Sequence, residues 1–322
     1  MKKHRVIVST DLGGDPDDIQ SLIHLLHYSD CFDLEGIHST AGPGAEPSVE
    51  KIARWIRHTD LDYLRDRGYP ELMSEADALS LLRQGATTGR APAPGADTAA
   101  SRHLIERSLA DDPDGRPLWI LCWGSMTDLA QALHDEPAIA MRIRVNAIGS
   151  SNTENDPASR DFVYDGMSDR WPELWWIEDG LLPKFSHETF RGYYLGGDQS
   201  GRWGNVSFVN EVIRGRGTTS RDRFDQVLGD AFPVAEWPDG VLKEGDTPTF
   251  TYLLSPRVAG VGDVDDPTSE SWGGTFRRPD PDRYPNYFCD LDAPQETCQA
   301  TINRWRVDYL SHWEERWRRY DA

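Results

Sequence analysis

Arg5-Val6-Ile7-Val8-Ser9-Thr10-Asp11-Leu12-Gly13-Gly14-Asp15-Pro16-Asp17-Asp18 is the stretch from which the fold of this chain can be read. Val6, Ile7 and Val8 form an apolar, β-branched run that stops at a Gly-Gly turn, so Arg5 to Thr10 reads as a short buried strand. Past the turn, Ile19 to Leu26 carries apolar residues at helical spacing, with Asp17 or Asp18 at the helix start, where free backbone N-H groups favour carboxylates. Four carboxylates, Asp11, Asp15, Asp17 and Asp18, thus crowd the carboxyl end of one strand and the amino end of the next helix. Open α/β sheets bind ligands in that crevice. Such crowding calls for a positive charge, and a hard cation with oxygen ligands supplies it most simply. The bland alternative is that Asp15 and Asp17 cap the helix in solvent. The spacing is not that of a twelve-position calcium loop, and Gly13-Gly14 lacks the third glycine of a dinucleotide fingerprint.

Working outward, Leu34 to Gly44 reads as a second strand opening into a polar loop, short and near a surface because Asp33 and Glu35 are weak strand formers. Ser48 to Arg57 is an amphipathic helix, two short amphipathic segments fill Asp60 to Leu82, and Gln84 to Asp97 is a long loop that suits either a rim over the site or a surface insertion. Thr98 to Leu109 is a helix, Arg116 to Trp123 the strongest central strand, and Gly124 to Asp128 a turn into the helix from Leu129 to Leu133. Trp123 either walls the pocket or packs in the core. Met141 to Gly149 is a further strand, and its following loop, Ser150 to Ala158, carries hydrogen-bonding side chains suited to sugar hydroxyls or to Asx turns. Trp175 and Trp176 must point to opposite faces of a strand over Glu173 to Glu178. Phe190 to Pro238, rich in glycine and aromatics, fits a cap with faces for a base or sugar ring, or a structural insertion. Glu296 to Arg319 reads as one final helix that packs on the domain or across a subunit interface. No repeat or linker interrupts residues 1–322, which predicts one domain.

With 34 basic and 54 acidic residues the net charge is −20, which argues against nucleic acid and anionic membranes as partners. No span of 18 apolar residues predicts a membrane helix. Met1-Lys2-Lys3 passes straight into a strand, which predicts a cytoplasmic protein unless a leader has been lost. Cys31, Cys122, Cys289 and Cys298 include no Cys-x-x-Cys pair, which removes the usual zinc and dithiol readings.

The run Ser9-Thr10-Asp11-Leu12-Gly13-Gly14-Asp15-Pro16-Asp17-Asp18 resembles the amino-terminal metal motif of the inosine/uridine-preferring nucleoside hydrolase superfamily, and most closely its nucleoside hydrolase-like branch, some of whose members are labelled cellulose-binding proteins. Gly124-Ser125-Met126-Thr127-Asp128-Leu129-Ala130 and Glu244-Gly245-Asp246-Thr247-Pro248 support the resemblance, which spans roughly residues 4 to 280. It implies an α/β fold, an open and mostly parallel sheet flanked by helices, and calcium held by Asp11, Asp18, the Thr127 main-chain carbonyl and Asp246. It makes Asp11 the general base and Asp17 a group that orients water or a substrate hydroxyl. Asn152, Glu154 and Asn155 are the candidates for substrate hydroxyls, and Trp272 for a contact beside the pocket. Ser9 stands where the family has its first aspartate, two extra residues surround Asp15-Pro16 and leave the role of Asp15 open, and the histidine that protonates the leaving base is absent. The implied activity is calcium-dependent hydrolysis of an N-glycosidic bond in a nucleoside or related ribosyl compound, with a small-molecule nucleoside or sugar as ligand and a homo-oligomer among the expected assemblies. A metal-dependent O-glycoside hydrolase and a non-catalytic carbohydrate-binding protein are the alternatives.

Overall fold

The computed structural model describes residues 2–13, 16–44, 46–213 and 242–321. Its frame is a seven-stranded sheet: β1 (His4–Thr10), β2 (Phe32–Ser39), β3 (Leu82–Gln84), β4 (Leu118–Cys122), β5 (Ile143–Ile148), β6 (Trp175–Asp179) and β7 (Tyr287–Cys289). The strands lie in the order β3-β2-β1-β4-β5-β6-β7, and every neighbouring pair is parallel. The longer helices among the described residues are α1 (Asp17–His27), α2 (Val49–Thr59), α3 (Ala99–Leu109), α4 (Thr127–Asp135), α5 (Pro157–Gly166), α6 (Thr247–Val258), α7 (Gln295–Asn303) and α8 (Arg306–Trp317). This is the α/β fold with an open parallel sheet and flanking helices that the sequence predicts.

Strand alternation divides the core in two. Val6 and Val8 of β1 join Leu22 of α1, Ile52 of α2, Phe250 of α6 and Trp313 of α8 on one face. Ile7 joins Leu104 of α3, Leu129 of α4 and Val163 of α5 on the other. Fully covered on both sides, the central strands read as unbroken apolar runs. Trp175 and Trp176 obey the same alternation, one in each cluster. The sheet reverses its direction of growth between β1 and β4, so the connections that leave them run to opposite faces and open a crevice beyond their carboxyl ends.

Three expectations need correction. β2 is not short: it runs for eight residues, because Arg5 on β1 makes hydrogen bonds of 2.6 and 3.0 Å to the Glu35 carboxylate and Arg107 one of 2.9 Å, which removes the penalty of a charged strand residue. Ser150 to Ala158 is not a loop but a turn of helix over Ser151–Asn155 running into α5, after a left-handed Ser150 at φ 52° whose N-H bonds to the Gly180 carbonyl. The final helix is two helices, broken at Arg304 and Trp305. One lies so close to the Thr189–Tyr193 turn that a Cβ on Gly192 would stand 2.2 Å from the Gln299 carbonyl oxygen, and the other stacks Trp313 on His24 of α1 at 3.9 Å. One straight axis cannot serve both surfaces.

All four cysteines are buried and unbridged. Among the described residues no helix is long and apolar enough to cross a membrane. Asp15, and the glycine- and aromatic-rich stretch from 214 to 241, lie outside the described residues.

Candidate metal and sugar site

The exits of β1, β2 and β4 are stitched together by main-chain bonds. Trp123 and Gly124 N-H donate to the Ser9 carbonyl at 2.7 and 3.3 Å, and Ser125 N-H donates to the Ala41 carbonyl at 2.9 Å. The loops are held so tightly around the carboxylates that only glycine fits at their closest points. A Cβ on Gly42 would stand 1.5 Å from Asp11 Oδ2, one on Gly124 2.8 Å from the Asp11 Cβ, and one on Gly245 2.6 Å from Asp17 Oδ2. Thr10 Oγ1 donates to the Asp18 carboxylate and accepts the Leu12 N-H. Asp17 and Asp18 open α1 with no side-chain cap, where the amino-terminal partial positive charge offsets part of their own. Asp246 precedes α6. Its carbonyl accepts Thr249 Oγ1 at 2.8 Å, and Trp123 Nε1 donates to the same hydroxyl at 2.8 Å, which ties this last loop to β4.

These loops surround a recess of about 500 Å³, counting its open mouth, lined by Asp11, Asp17, Asp18, Asp246, Pro43, Trp123, Ile148, Gly149, Ser150, Ser151, Asn152, Phe190, Arg191 and Lys243. One carboxylate oxygen from each of Asp17, Asp18 and Asp246 lies within 4.8 Å of the other two. Burial, then the charges of Asp11 and Asp17, push the Asp18 carboxyl well above the usual range, against the opposing Thr10 hydrogen bond. Lys243 Nζ stands 3.0 Å from Asp17 Oδ2. A buried set of oxygen donors, crowded until one of them resists ionising, suits a hard divalent cation. The residues present therefore fit a metal ion.

Asp11, Asp17, Asp18, Asp246 and Asn152 come together as recess lining. Asp17, assigned by sequence to water or hydroxyl, stands in the three-carboxylate group, and Asp11 does not. The Asn152 amide donates to the Trp123 and Ile148 carbonyls at 2.6 and 3.1 Å. Glu154 is exposed and pairs with Lys184 at 2.7 Å, while Asn155, also exposed, donates to Ser125 Oγ at 3.1 Å; neither lines the recess. Thr127 begins α4 and gives its hydroxyl proton to Asp156, and it too is not among the lining residues. Trp272 is 1% exposed in the core, edge-on to His312. No residue of the long loop Gln84 to Asp97 lines the recess.

Sequence reasoning gave no individual role to five lining residues: Ser150, Ser151 and Phe190 fell only within broader candidate segments, and Arg191 and Lys243 were given none. A signal was available for Arg191, which follows β6 at the carboxyl edge of the sheet, where ligands bind. Its turn is pinned from below. The Asp290 carboxylate accepts N-H bonds from Gly180, Leu181 and Thr189 at 2.8 to 2.9 Å, and Asp179 accepts that of Phe190 at 2.9 Å. Burial, then the charge of Asp290, hold the Asp179 carboxyl well above its usual range.

A parallel sheet with a carboxylate cluster at its switch point makes this an open α/β protein with a candidate metal site. The chain belongs to the family described as cellulose-binding Sde182, nucleoside hydrolase-like domain, whose model matches residues 5–276. Among solved structures it is similar to a nucleoside hydrolase-related hypothetical protein from Saccharophagus degradans that is associated with carbohydrate metabolism, at 22% identity and a TM-score of 0.71, covering 99% of this chain and 72% of that one. The inosine-uridine preferring nucleoside hydrolase from Bacillus anthracis follows at 16% and 0.52, covering 95% and 99%. An inosine-guanosine nucleoside hydrolase follows at 12% and 0.55, covering 97% and 99%. At these identities the likeness is one of fold. No curated protein matches the chain in sequence.

Proposed function

We propose that this protein hydrolyses the N-glycosidic bond of a nucleoside or related ribosyl compound with the help of calcium. The observation that carries the proposal is the grouping of Asp17, Asp18 and Asp246 in one recess with Asp11. The three grouped carboxylates would hold the ion, with the Thr127 carbonyl and Asp11 as the further ligands the family resemblance implies. When bound, calcium would lower the pKa of a nearby water and offset the negative charge of the floor. Asp11 is 6% exposed and pressed between Gly42 and Gly124, so it offers a fixed oxygen to take a proton from the attacking water. Asn152, anchored through its amide, and Ser151 line the same recess and would hold sugar hydroxyls, while the Ser150 hydroxyl is engaged by buried Glu188. The carboxylate-rich floor would favour the positive charge that develops on the sugar as its bond to the leaving group breaks.

A second reading rests on one observation: among the described residues no histidine lines the recess. His24 is held behind the Asp246 loop by a 2.9 Å contact with Glu244 and by Trp313. That favours substrates that leave without help, an O-glycoside hydrolase, or a carbohydrate-binding protein that keeps the metal for structure. Calorimetric titration with calcium, then with ribose, separates them when joined to Asp11→Asn. Turnover that vanishes in Asp11→Asn with its melting temperature kept supports the hydrolase. Unchanged turnover removes Asp11 as the base, and an absence of calcium binding removes the mechanism.

A further inference from the structure

We infer that the recess takes a glycoside whose leaving group is planar and negatively charged, bound by Arg191 with Phe185 as an outer stacking face. The inference rests on the hydrolase reading above and names the substrate class of that site.

Arg191 is the residue around which the wall is built. Its Nε donates to Glu188, its Nη1 lies 2.7 Å from the Tyr194 hydroxyl, and among the described residues Nη2 has no acceptor. Glu188 is wholly buried and also accepts Ser150 Oγ at 2.6 Å and Gln295 Nε2 at 3.2 Å, so the side chain that aims the guanidinium is itself fixed. The Phe185 and Phe190 rings lie 4.9 and 5.1 Å from the guanidinium carbon. Both cations among the described lining residues have a carboxylate partner, Lys243 Nζ with Asp17 and Arg191 Nε with Glu188, and Arg191 keeps a second edge, Nη2, beyond that pair. An oriented arginine edge of this kind recognises a carboxylate or similar planar anion.

Phe185 adds a second observation. It is 64% exposed and sits at φ 63°, a conformation that is costly for a bulky residue and that core packing does not repay at that exposure. An aromatic face presented to solvent beside the guanidinium of a recess-lining arginine suits the part of a substrate that leads outward. The sugar would then sit towards the carboxylates, and the anionic end of the leaving group, repelled by that floor, towards Arg191.

A pyridinium riboside makes the chemistry explicit. The oxygen of water bonds to the anomeric carbon, the C-N bond breaks with its electron pair going to the ring nitrogen, and the water proton passes to Asp11. The neutral pyridine ring needs no proton to leave, which agrees with the lack of a histidine among the described lining residues.

The test compares nicotinic acid riboside with nicotinamide riboside on the calcium-loaded full chain. The pair differs by a carboxylate against a carboxamide. We expect kcat/KM for the acid to exceed that for the amide by about 10-fold or more, the scale of one charge-assisted hydrogen bond. Arg191→Gln should bring the ratio to within about 3-fold of one, Arg191→Lys should keep part of the preference, and Phe185→Ala should raise KM for both. Equal rates for the two ribosides, or an equal fall for both in Arg191→Gln, would overturn the inference. Titration with free nicotinate and nicotinamide separates the two readings. If nicotinate binds through Arg191 and neither riboside is cleaved, the hydrolase reading fails and the subsite stands; if nicotinate binds no better than nicotinamide, the subsite fails whatever the turnover.

Discussion

Replacing Gly42 with alanine tests whether the recess depends on the close approach of its loops. The added methyl would lie 1.5 Å from Asp11 Oδ2, 2.1 Å from Cγ and 2.3 Å from Cβ, against an ordinary contact of at least 3.4 Å. Rotation about χ1 can remove the first two clashes but not the third, because the Cβ of Asp11 does not move with its own rotamer. The main chains after β1 and β2 must therefore part by about 1 Å, a strain of roughly 1–3 kcal/mol. A displacement of about 1 Å at a reacting group costs on the order of 100-fold in rate. Gly42→Ala should thus lose about 100-fold in riboside hydrolysis and bind calcium more weakly in a calorimetric titration. The control is Gly166→Ala on α5, whose methyl would lie 2.1 Å from the Trp171 ring, far from the lining residues. It should lower the melting temperature comparably and leave calcium affinity intact. Wild-type calcium affinity and turnover in Gly42→Ala, or equal loss of both in the two variants, would refute the argument that Gly42 sets the position of Asp11.

Asp18→Asn should raise the melting temperature of the calcium-free protein, since it removes a carboxyl whose ionisation is opposed by burial and by Asp11 and Asp17, and should weaken calcium by at least the roughly 10- to 100-fold that loss of a residue behind a ligand costs. A lower melting temperature without calcium would contradict the repulsion. Glu35 predicts a pH effect on stability. Burial alone would raise its carboxyl, but the hydrogen bonds from Arg5 and Arg107 outweigh burial and hold it below its ordinary 4.5. The unfolded chain then takes up the proton first, so this stabilisation is complete above the unfolded value and is lost as pH falls through the folded one. Urea unfolding of wild type and Glu35→Gln should differ most near neutral pH and converge in acid; a constant difference would count against it. Arg160→Met should destabilise by about 3–5 kcal/mol, because Glu178, 2% exposed, would stay buried without the arginine that makes 2.6 and 2.9 Å bonds to it. A loss under about 1 kcal/mol by the same unfolding assay would contradict the claim that the pair is what makes burial of Glu178 tolerable.

The sheet was legible because strands covered on both faces must be apolar without interruption. Val6 to Val8 and Leu118 to Cys122 announce themselves for that reason, and each is followed by a turn and a helix at the same edge. β2 was underestimated because intrinsic propensity counts Glu35 as a liability, whereas its two arginine partners come from β1 and from α3, far away in sequence. The break at Arg304 and Trp305 left no local sign, with neither glycine nor proline present. What bends the chain there is the need to meet two surfaces, the Thr189–Tyr193 turn and α1, and an apolar stripe records only that a helix has a buried side.

The site divides along the same line. Its carboxylates were legible because Asp11, Asp17, Asp18 and Asp246 lie next to strand ends and helix starts, where local sequence dictates where a side chain goes. The part that follows β6 was not. Arg191 reaches the recess only because Asp179 and Asp290 hold its turn by main-chain bonds, and Asp290 follows the last strand, more than a hundred positions from the loop it pins at Gly180. Such long-range hydrogen bonds leave no period or spacing in the sequence. Under the proposed hydrolase reading they also separate two jobs within one recess: the strand-end carboxylates would provide for a metal and an attacking water, while the β6 loop, fixed from β7, would meet the leaving group. On that reading a wall fixed separately from the carboxylates can vary without moving them, and Arg191 and Phe185, rather than the aspartates, should decide which leaving group the recess accepts.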